Sequence, residues 1–515
     1  MLSSTSILLV LNTPHSYFTD KSILTLNSSS YLPITPSIPR SIGNSKLVRE
    51  LTSVLPSLLL NMVFFARDSV ARPVAFLLNI VGAVLALRIT YPGIKNFACL
   101  FFLRYLRLIV HIIAFWLYRP APLPAAPKYS EKDVTVIIPT VDPHSYLTRC
   151  LESVTGNKPS AVIIVTAGQK LRQETEAVVE DWLKGREGKD NSTNITVTDV
   201  PAPSKRHQMA QAIGMVNTKF IVGADDSVVW PSENLIRSIL NAFEENSKVG
   251  LVGTNKRVRR IYTGSFWAQF WNFIGCVYLR RHNFEIRATN AINGGVFVVS
   301  GRTLGIRTII AQDPKFLYGL THETCLGQPL LPDDDNYIHR YMIKHDWDVK
   351  IQYCHEATIE TNIGTYPRFL QQCLRWARTT FRSNPVLLAQ GKILVRYPWT
   401  SFAAIITGIL NFALVIDPLL VYLFIRSELY RDSDDRVLLL KWLIAWVLAS
   451  KLVKLLPHFV DHPGDVVFFP GYVVFSYFHS LLKFYALLTF WNCSWSGRKL
   501  DKLTTDENDE DATHP

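Results

Sequence analysis

The sequence predicts an α/β fold, a doubly wound and mostly parallel sheet, flanked by apolar helical segments. Three observations carry that reading. Strand, helix and strand alternate through the middle of the chain. The strands are β-branched apolar runs that end in loops, as strands buried on both faces do. The runs long enough to cross a bilayer as helix, about 20 residues, all lie outside that middle stretch.

The composition agrees. Hydrophobic residues make up 48% of the 515 and charged residues only 19%, which excludes a disordered or fibrous chain. The net charge of +12 fits either nucleic acid or a membrane surface. Many of the basic residues track the apolar flanks, so a lipid bilayer is the expected partner and nucleic acid is not. The 7 cysteines are scattered without paired spacing, and read as reduced, mostly buried thiols. Oligomeric state stays open.

Residues 1–50, rich in Ser, Thr, Leu and Pro, read as a disordered tail. Residues 51–127 hold two N-terminal apolar runs, Pro73–Thr90 and Phe97–Tyr118. Residues 128–395 form the α/β domain. Residues 396–492 hold three more runs, Ser401–Phe424, Val437–Leu456 and Val466–Trp491, and 493–515 end in an acidic disordered tail. Phe97–Tyr118 carries Arg104 and Arg107, and Val437–Leu456 carries Lys441, Lys451 and Lys454. Each such charge costs about 2.5–3.5 kcal/mol at mid-bilayer. These segments therefore pair their charges inside a bundle, snorkel, or lie flat at the interface. Asp417, next to Pro418, is either a buried intramembrane acid with a role or part of a helix-end kink.

Within the domain, Val134–Pro139 is the first buried strand, Leu147–Val154 a helix, Ala161–Thr166 a second strand and Lys219–Gly223 a third. Ligands of such sheets collect at the carboxyl ends of the strands. Thr140, Asp142, Thr166, Asp225 and Asp226 all fall there. Adjacent acids at a strand end supply the hard oxygens that Mg²⁺ or Mn²⁺ takes, although an Asp-Asp pair also makes an ordinary solvated turn. Lys205-Arg206 offers a phosphate partner. Asp333-Asp334-Asp335 precedes a helix over 336–344; acids there suit a helix N-terminus, and a carboxylate among carboxylates can also serve as general base. Gln372, Arg375 and Trp376 share one helical face, with Arg378 and Arg382 beyond. An Arg fork with a Trp face suits a diphosphate and a sugar; a basic helix on a lipid surface reads the same way.

In order, the strand-Pro opening, Lys-Arg, strand-end Asp pair, Asp triplet and Gln-x-x-Arg-Trp resemble the processive family 2 glycosyltransferases. The resemblance is nearest to hyaluronan synthases and their cellulose and chitin synthase relatives, especially fungal hyaluronan-synthase-like polysaccharide synthases. Asn293-Gly294-Gly295 through Arg302 matches the family's acceptor segment, and Ala357, Thr361, Pro367 and Phe369 match its lead into the signature helix. The resemblance implies a cytosolic GT-A domain between transmembrane helices of a multi-pass protein in the cell membrane. It implies an inverting enzyme that moves sugar from a UDP-sugar to a growing extracellular or cell-wall glycan and secretes it. A non-processive enzyme with a ceramide or polyprenyl-phosphate acceptor, and an inactive membrane scaffold, are the alternatives. By matching position, Thr140 and Asp142 line the nucleotide pocket and Lys205 meets the phosphates. Asp225 and Asp226 hold Mg²⁺ or Mn²⁺ and the diphosphate. Asp335, with Asp334 beside it, is the catalytic base, and Gln372, Arg375 and Trp376 hold acceptor and pyrophosphate. Trp495 and Arg498 belong to a gating element. The chain departs from the family in its adjacent rather than spaced acids at 225–226, in Val165-Thr166-Ala167-Gly168 where relatives carry a uracil-touching Asp, and in the permuted order Trp495-Ser496-Gly497-Arg498.

Overall fold

The structure, a computed structural model, describes residues 94–144, 146–186, 192–409 and 412–493. The chain divides into two units at Leu60, and every described residue belongs to the second. The tails at 1–50 and 501–515, the run Pro73–Thr90 and the element Trp495–Arg498 lie outside the described residues.

A mixed, parallel-dominated sheet of nine strands forms the domain. In chain order these are β1 (Val134–Pro139), β2 (Ala161–Ala167), β3 (Asn194–Val200), β4 (Phe220–Ala224), β5 (Val228–Val229), β6 (Val249–Val258), β7 (Thr303–Arg307), β8 (Asp348–Gln352) and β9 (Thr358–Thr361). The order across the sheet is β3-β2-β1-β4-β7-β6-β9-β5, with β8 on β6. β1 pairs in parallel with β2 and with β4, Pro139 opposite Val165 and Ile137 opposite Gly223. That register brings the carboxyl ends of the three strands side by side. β7 runs antiparallel between β4 and β6, so the chain re-enters the sheet beside the Asp pair.

All six residues of β1 are buried, and their period-two alternation feeds two cores. Val134, Val136 and Ile138 pack with α2 (Leu147–Thr155), α3 (Gln169–Lys184) and α5 (Leu235–Glu245). Ile137 joins the opposite core, made by α4 (Lys205–Gly214), α6 (Phe266–Asn293), α7 (Pro314–His322) and α8 (Asp334–Lys344). Helices on both faces make the sheet doubly wound. Gly294 ends α6 in the left-handed region, φ 77°, where a Cβ is disfavoured.

The flanks are helical: α1 (Lys95–Leu117) upstream, then α9 (Arg368–Ala389), α10 (Pro398–Ile409), α11 (Ala413–Ile425), α12 (Arg436–Leu452) and α13 (Phe469–Leu487). Among the described residues, α1 and the segment Pro463–Leu487 are long and apolar enough to cross a membrane. The run Ser401–Phe424 is not the single span expected: α10 and α11 cover it, with 12 and 13 residues. Its Asp417 is buried and bonded to both Arg104, Nη2 to Oδ1 at 3.0 Å, and Lys451, Nζ to Oδ2 at 2.7 Å. Lys454 pairs with Glu285 of α6, as Arg107 and His111 also do. The charges of the two costly segments are thus paired, and Lys441 is exposed. All 7 cysteines are free thiols.

Candidate active site

Thr140 is the first residue past β1. Its amide donates to Val165 O at 2.9 Å and its hydroxyl to Asp226 Oδ2 at 2.8 Å. Gln208 of α4 donates from Nε2 to Thr140 O at 2.9 Å and Val165 O at 2.7 Å. The ends of β1, β2 and β4 are therefore tied together where a ligand is expected. Asp142 donates its amide to Thr140 Oγ1 at 3.2 Å, but the adjoining cavity is lined by Thr140 and Val141, not by Asp142.

Lys205 opens α4 and joins the two acidic clusters. Its Nζ lies 2.8 Å from Asp225 Oδ1 and 3.1 Å from Asp334 Oδ2, and donates to Gly301 O at 3.1 Å. Burial opposes its charge, yet Asp225 and Asp334 outweigh that and raise its pKa above the usual lysine value. Arg206, expected to share its phosphate role, turns the other way. It is buried and donates to Pro332 O, Leu320 O and Asp333 O, and pairs with Glu323 at 2.9 Å. Successive helical residues point about 100° apart, so one faces the cavity and the other props the loop that presents the triplet.

The triplet divides its labour. Asp333, at φ 68°, sits just before α8. Its Oδ2 accepts from Arg382 Nη2 at 2.8 Å and Nε at 3.0 Å, and its Oδ1 from Thr379 at 2.5 Å. Asp334 takes Lys205. Asp335 is held by the amides of Gly301, 3.0 Å to Oδ2, and Asn336, 2.8 Å to Oδ1, with Asn336 Nδ2 at 3.0 Å. Burial and then the neighbouring Asp334 carry its pKa above the ordinary carboxylate value despite those donors. A Cβ on Gly301 would lie 3.1 Å from both Asp334 Oδ2 and Asp335 Cβ. Glycine is what lets that amide come so close.

On α9, Arg375 and Trp376 line the cavity, and among the described residues the buried Arg375 Nε has no hydrogen-bond partner. Gln372 is not on that wall; its Oε1 accepts from the amide of Gly364 at 3.3 Å. Arg378 donates to Thr489 Oγ1, and Arg382 is spent on Asp333. Arg302 lies over the Trp376 ring, 5.5 Å to its centre, and donates to Thr361 Oγ1 at 3.1 Å.

The cavity measures about 340 Å³. Its lining takes in Thr140, Asp225, Asp226, Lys205, Gly301 and Asp335, and a second arm of it is made by Lys256 of β6, Tyr278, Arg281 and His282 of α6, Arg107 of α1 and Lys483 of α13. Gln208, Gly301, Lys256, Arg281 and His282 were not foreseen as site residues. No local signal marked them: Lys256 sits in the polar end of its strand, Thr254-Asn255-Lys256-Arg257.

Comparison with known proteins finds the family described as glycosyltransferase like family 2 matching residues 131–379. A type 2 glycosyltransferase of Gibberella zeae is 37% identical over 422 residues, covering 81% of this chain and 77% of that protein. Another from Pyricularia oryzae is 36% identical over 442 residues, 85% of this chain and 88% of that one. The NDP-glycosyltransferase ltbB of Aspergillus luteorubrus is 28% identical over 297 residues, 55% of this chain and 69% of its own.

Proposed function

The chain belongs to glycosyltransferase family 2, and we propose that it transfers a sugar from a UDP-sugar to a hydroxyl of a growing glycan, with inversion. The observation that carries this reading is Asp335. It is a half-buried carboxylate with a raised pKa, on the wall of the same cavity as the strand-end acids and Lys256. Its two oxygens offer about four acceptor sites and three donors use three of them. The remaining lone pair takes the acceptor's hydroxyl proton as that oxygen attacks the anomeric carbon and the bond to UDP breaks. UDP leaves with the electron pair.

Thr140 and Asp142 serve the nucleotide end, Asp142 from outside the cavity wall. Lys205 and Arg375 meet the phosphates, Trp376 the sugar, and Gln372 positions the loop at Gly364. Asp225 and Asp226 fit Mg²⁺ or Mn²⁺ by donor chemistry: both are carboxylates on the cavity wall. Among the described residues no third acid, His or Cys joins them, so the rest of such an ion's ligands would have to come from elsewhere, as from the donor. When bound, such an ion would supply charge neutralisation for a diphosphate. The relative from A. luteorubrus, an NDP-glycosyltransferase by name, supports a nucleotide donor.

The acceptor reading is a polymer handled at a cell membrane, with this domain on the cytosolic side, where nucleotide sugars are made. Its supports are a cavity lined by Asp335 and also by residues of α1 and α13, the two helical segments of membrane-spanning length, and the pairing of Arg104 of α1 and Lys451 of α12 with Asp417 of α11. A lipid acceptor is the second reading, favoured by the arm's ending among those same helices. UDP release across a panel of UDP-sugars, with Mg²⁺ and with Mn²⁺, tests the reaction. Release by the wild type and not by Asp335→Asn supports it; release with no sugar, or equal release by the variant, overturns it. Product kept at a gel origin marks a polymer, and solvent-extractable product a glycolipid.

A further inference from the structure

The arm of the lining made by Lys256, Arg281, His282, Arg107 and Lys483 is cationic to a degree its own acids do not match. Lys256 projects from β6 and is 2% exposed. Its Nζ lies 2.9 Å from His282 Nδ1. As an ammonium Lys256 can only donate, and in that state Nδ1 accepts and the imidazole proton sits on Nε2. Both side chains line the cavity, as does Arg281, the residue before His282 on α6.

Among the described residues the one acid of this arm is Glu285. His111 Nδ1 stands 2.7 Å from one of its oxygens; Arg107, at 3.6 Å, and Lys454 take the other. Lys256 is not among these partners. No carboxylate pairs with Lys256 or Arg281 among the described residues; Arg281 lies over the Tyr472 ring, 5.9 Å to its centre. A buried charge without a counter-charge is costly. Burial, and then Arg302, bring the Lys256 pKa down to about 7, with Asp335 opposing. An anion beside Lys256 would restore its charge.

We propose that this arm is a subsite for an oxyanion carried by the acceptor, read by Lys256, the Nε2–H of His282 and Arg281. The inference rests on the reading of Asp335 as the base, because that places the acceptor rather than the donor in the arm. Two acceptors carry such a group: a glycan whose end unit is a uronic acid, and a lipid phosphate. They share negatively charged oxygens near the reacting end, and a neutral glycan lacks them.

The test uses the full chain in detergent, with UDP present so that no turnover occurs. Binding is measured for three probes: a neutral cello-oligosaccharide, the same chain ending in glucuronate, and a polyprenyl phosphate. The wild type should bind one anionic probe at least about tenfold more tightly than the neutral chain, a difference well inside what one charge-assisted contact supplies. Whichever anionic probe is preferred names the source. Lys256→Met should erase the preference, and Arg281→Gln serves in its place if that variant fails to fold. Equal binding of neutral and anionic probes by the wild type would overturn the proposal. So would a preference that survives both substitutions. UDP affinity, measured separately, keeps the two readings apart: a wild type that binds UDP without discriminating acceptors loses this subsite only, and one that does not bind UDP loses the donor site and this proposal with it.

Discussion

Arg382 binds Asp333 through two nitrogens on one carboxylate oxygen, at 2.8 and 3.0 Å, and both side chains are almost fully buried. The first acid of the triplet is therefore tied to α9, the helix that also presents Arg375 and Trp376. Removing one partner leaves an uncompensated buried charge. Arg382→Met should cost about 3–5 kcal/mol, seen as a lower midpoint in thermal unfolding, with UDP release falling in step. Unchanged stability would mean that the pair does not hold the two helices together.

Asp335→Asn separates chemistry from folding. Loss of a general base lowers turnover by about 10²–10⁴, while UDP binding should persist. The raised carboxyl pKa means that folding pays for ionising this group, so stability from this site falls as pH rises through the ordinary carboxylate value. The amide relieves that penalty. Thermal unfolding at pH 7 should show the variant at least as stable as the wild type.

The pH profile should have two limbs of opposite origin. Asp335 must be ionised, so the rate falls on acidification, beginning above the usual carboxylate range because burial and Asp334 raise its pKa. Lys256 loses its proton as pH rises through about 7, so the affinity for an anionic acceptor weakens on the alkaline side. Plotting kcat/KM against pH for wild type and Lys256→Met checks this, since only the alkaline limb should disappear in the variant.

Gly301→Ala is a small change in a crowded place. The new methyl meets Asp334 Oδ2 and Asp335 Cβ at 3.1 Å and Lys205 Nζ at 3.4 Å. Such overpacking costs about 1–3 kcal/mol. Turnover should suffer more than stability, because the groups that must give way are the base and its neighbours. A variant with wild-type kcat would show that the Gly301 amide is not needed to place Asp335.

Asp417 is shared by Arg104 and Lys451, and the neutral Asp417→Asn strands two cations. The loss should be about 3–5 kcal/mol, and adding Lys451→Met should recover part of it. Unfolding midpoints in detergent for the two single variants and the double give the coupling.

The sheet, and the position of the acids at 225 and 226 just past the end of β4, were legible because each rests on a local pattern: an apolar run, then a polar residue. Arg206 was misread because a dipeptide does not say which of its residues faces the ligand. Gln372 shares a helical face with Arg375 and Trp376, but it stands one turn away, where the wall of the cavity is already a loop. Strand β3 alternates between polar and apolar and is only half-buried, so it lacks the continuous apolar run that marked its neighbours. Lys256 sits beside Arg257 at the polar end of its strand, and its meaning depends on α6, which packs over it. The partners of Glu285 come from two distant parts of the chain, α1 and Lys454, and leave no trace in any window of sequence.

The ion pairs between flanks also set an order of events during synthesis. Arg104 leaves the ribosome 313 residues before the Asp417 that neutralises it, and Arg107 precedes both Glu285 and the domain that carries it. At growth rates of about 5–20 residues per second, α1 spends many seconds with its arginines uncompensated. On the membrane reading proposed above, a helix in that state would be poorly suited to release into lipid by itself, and would wait at the membrane surface until α6 has folded and α11 has been made, so that later helices complete the seat of the first.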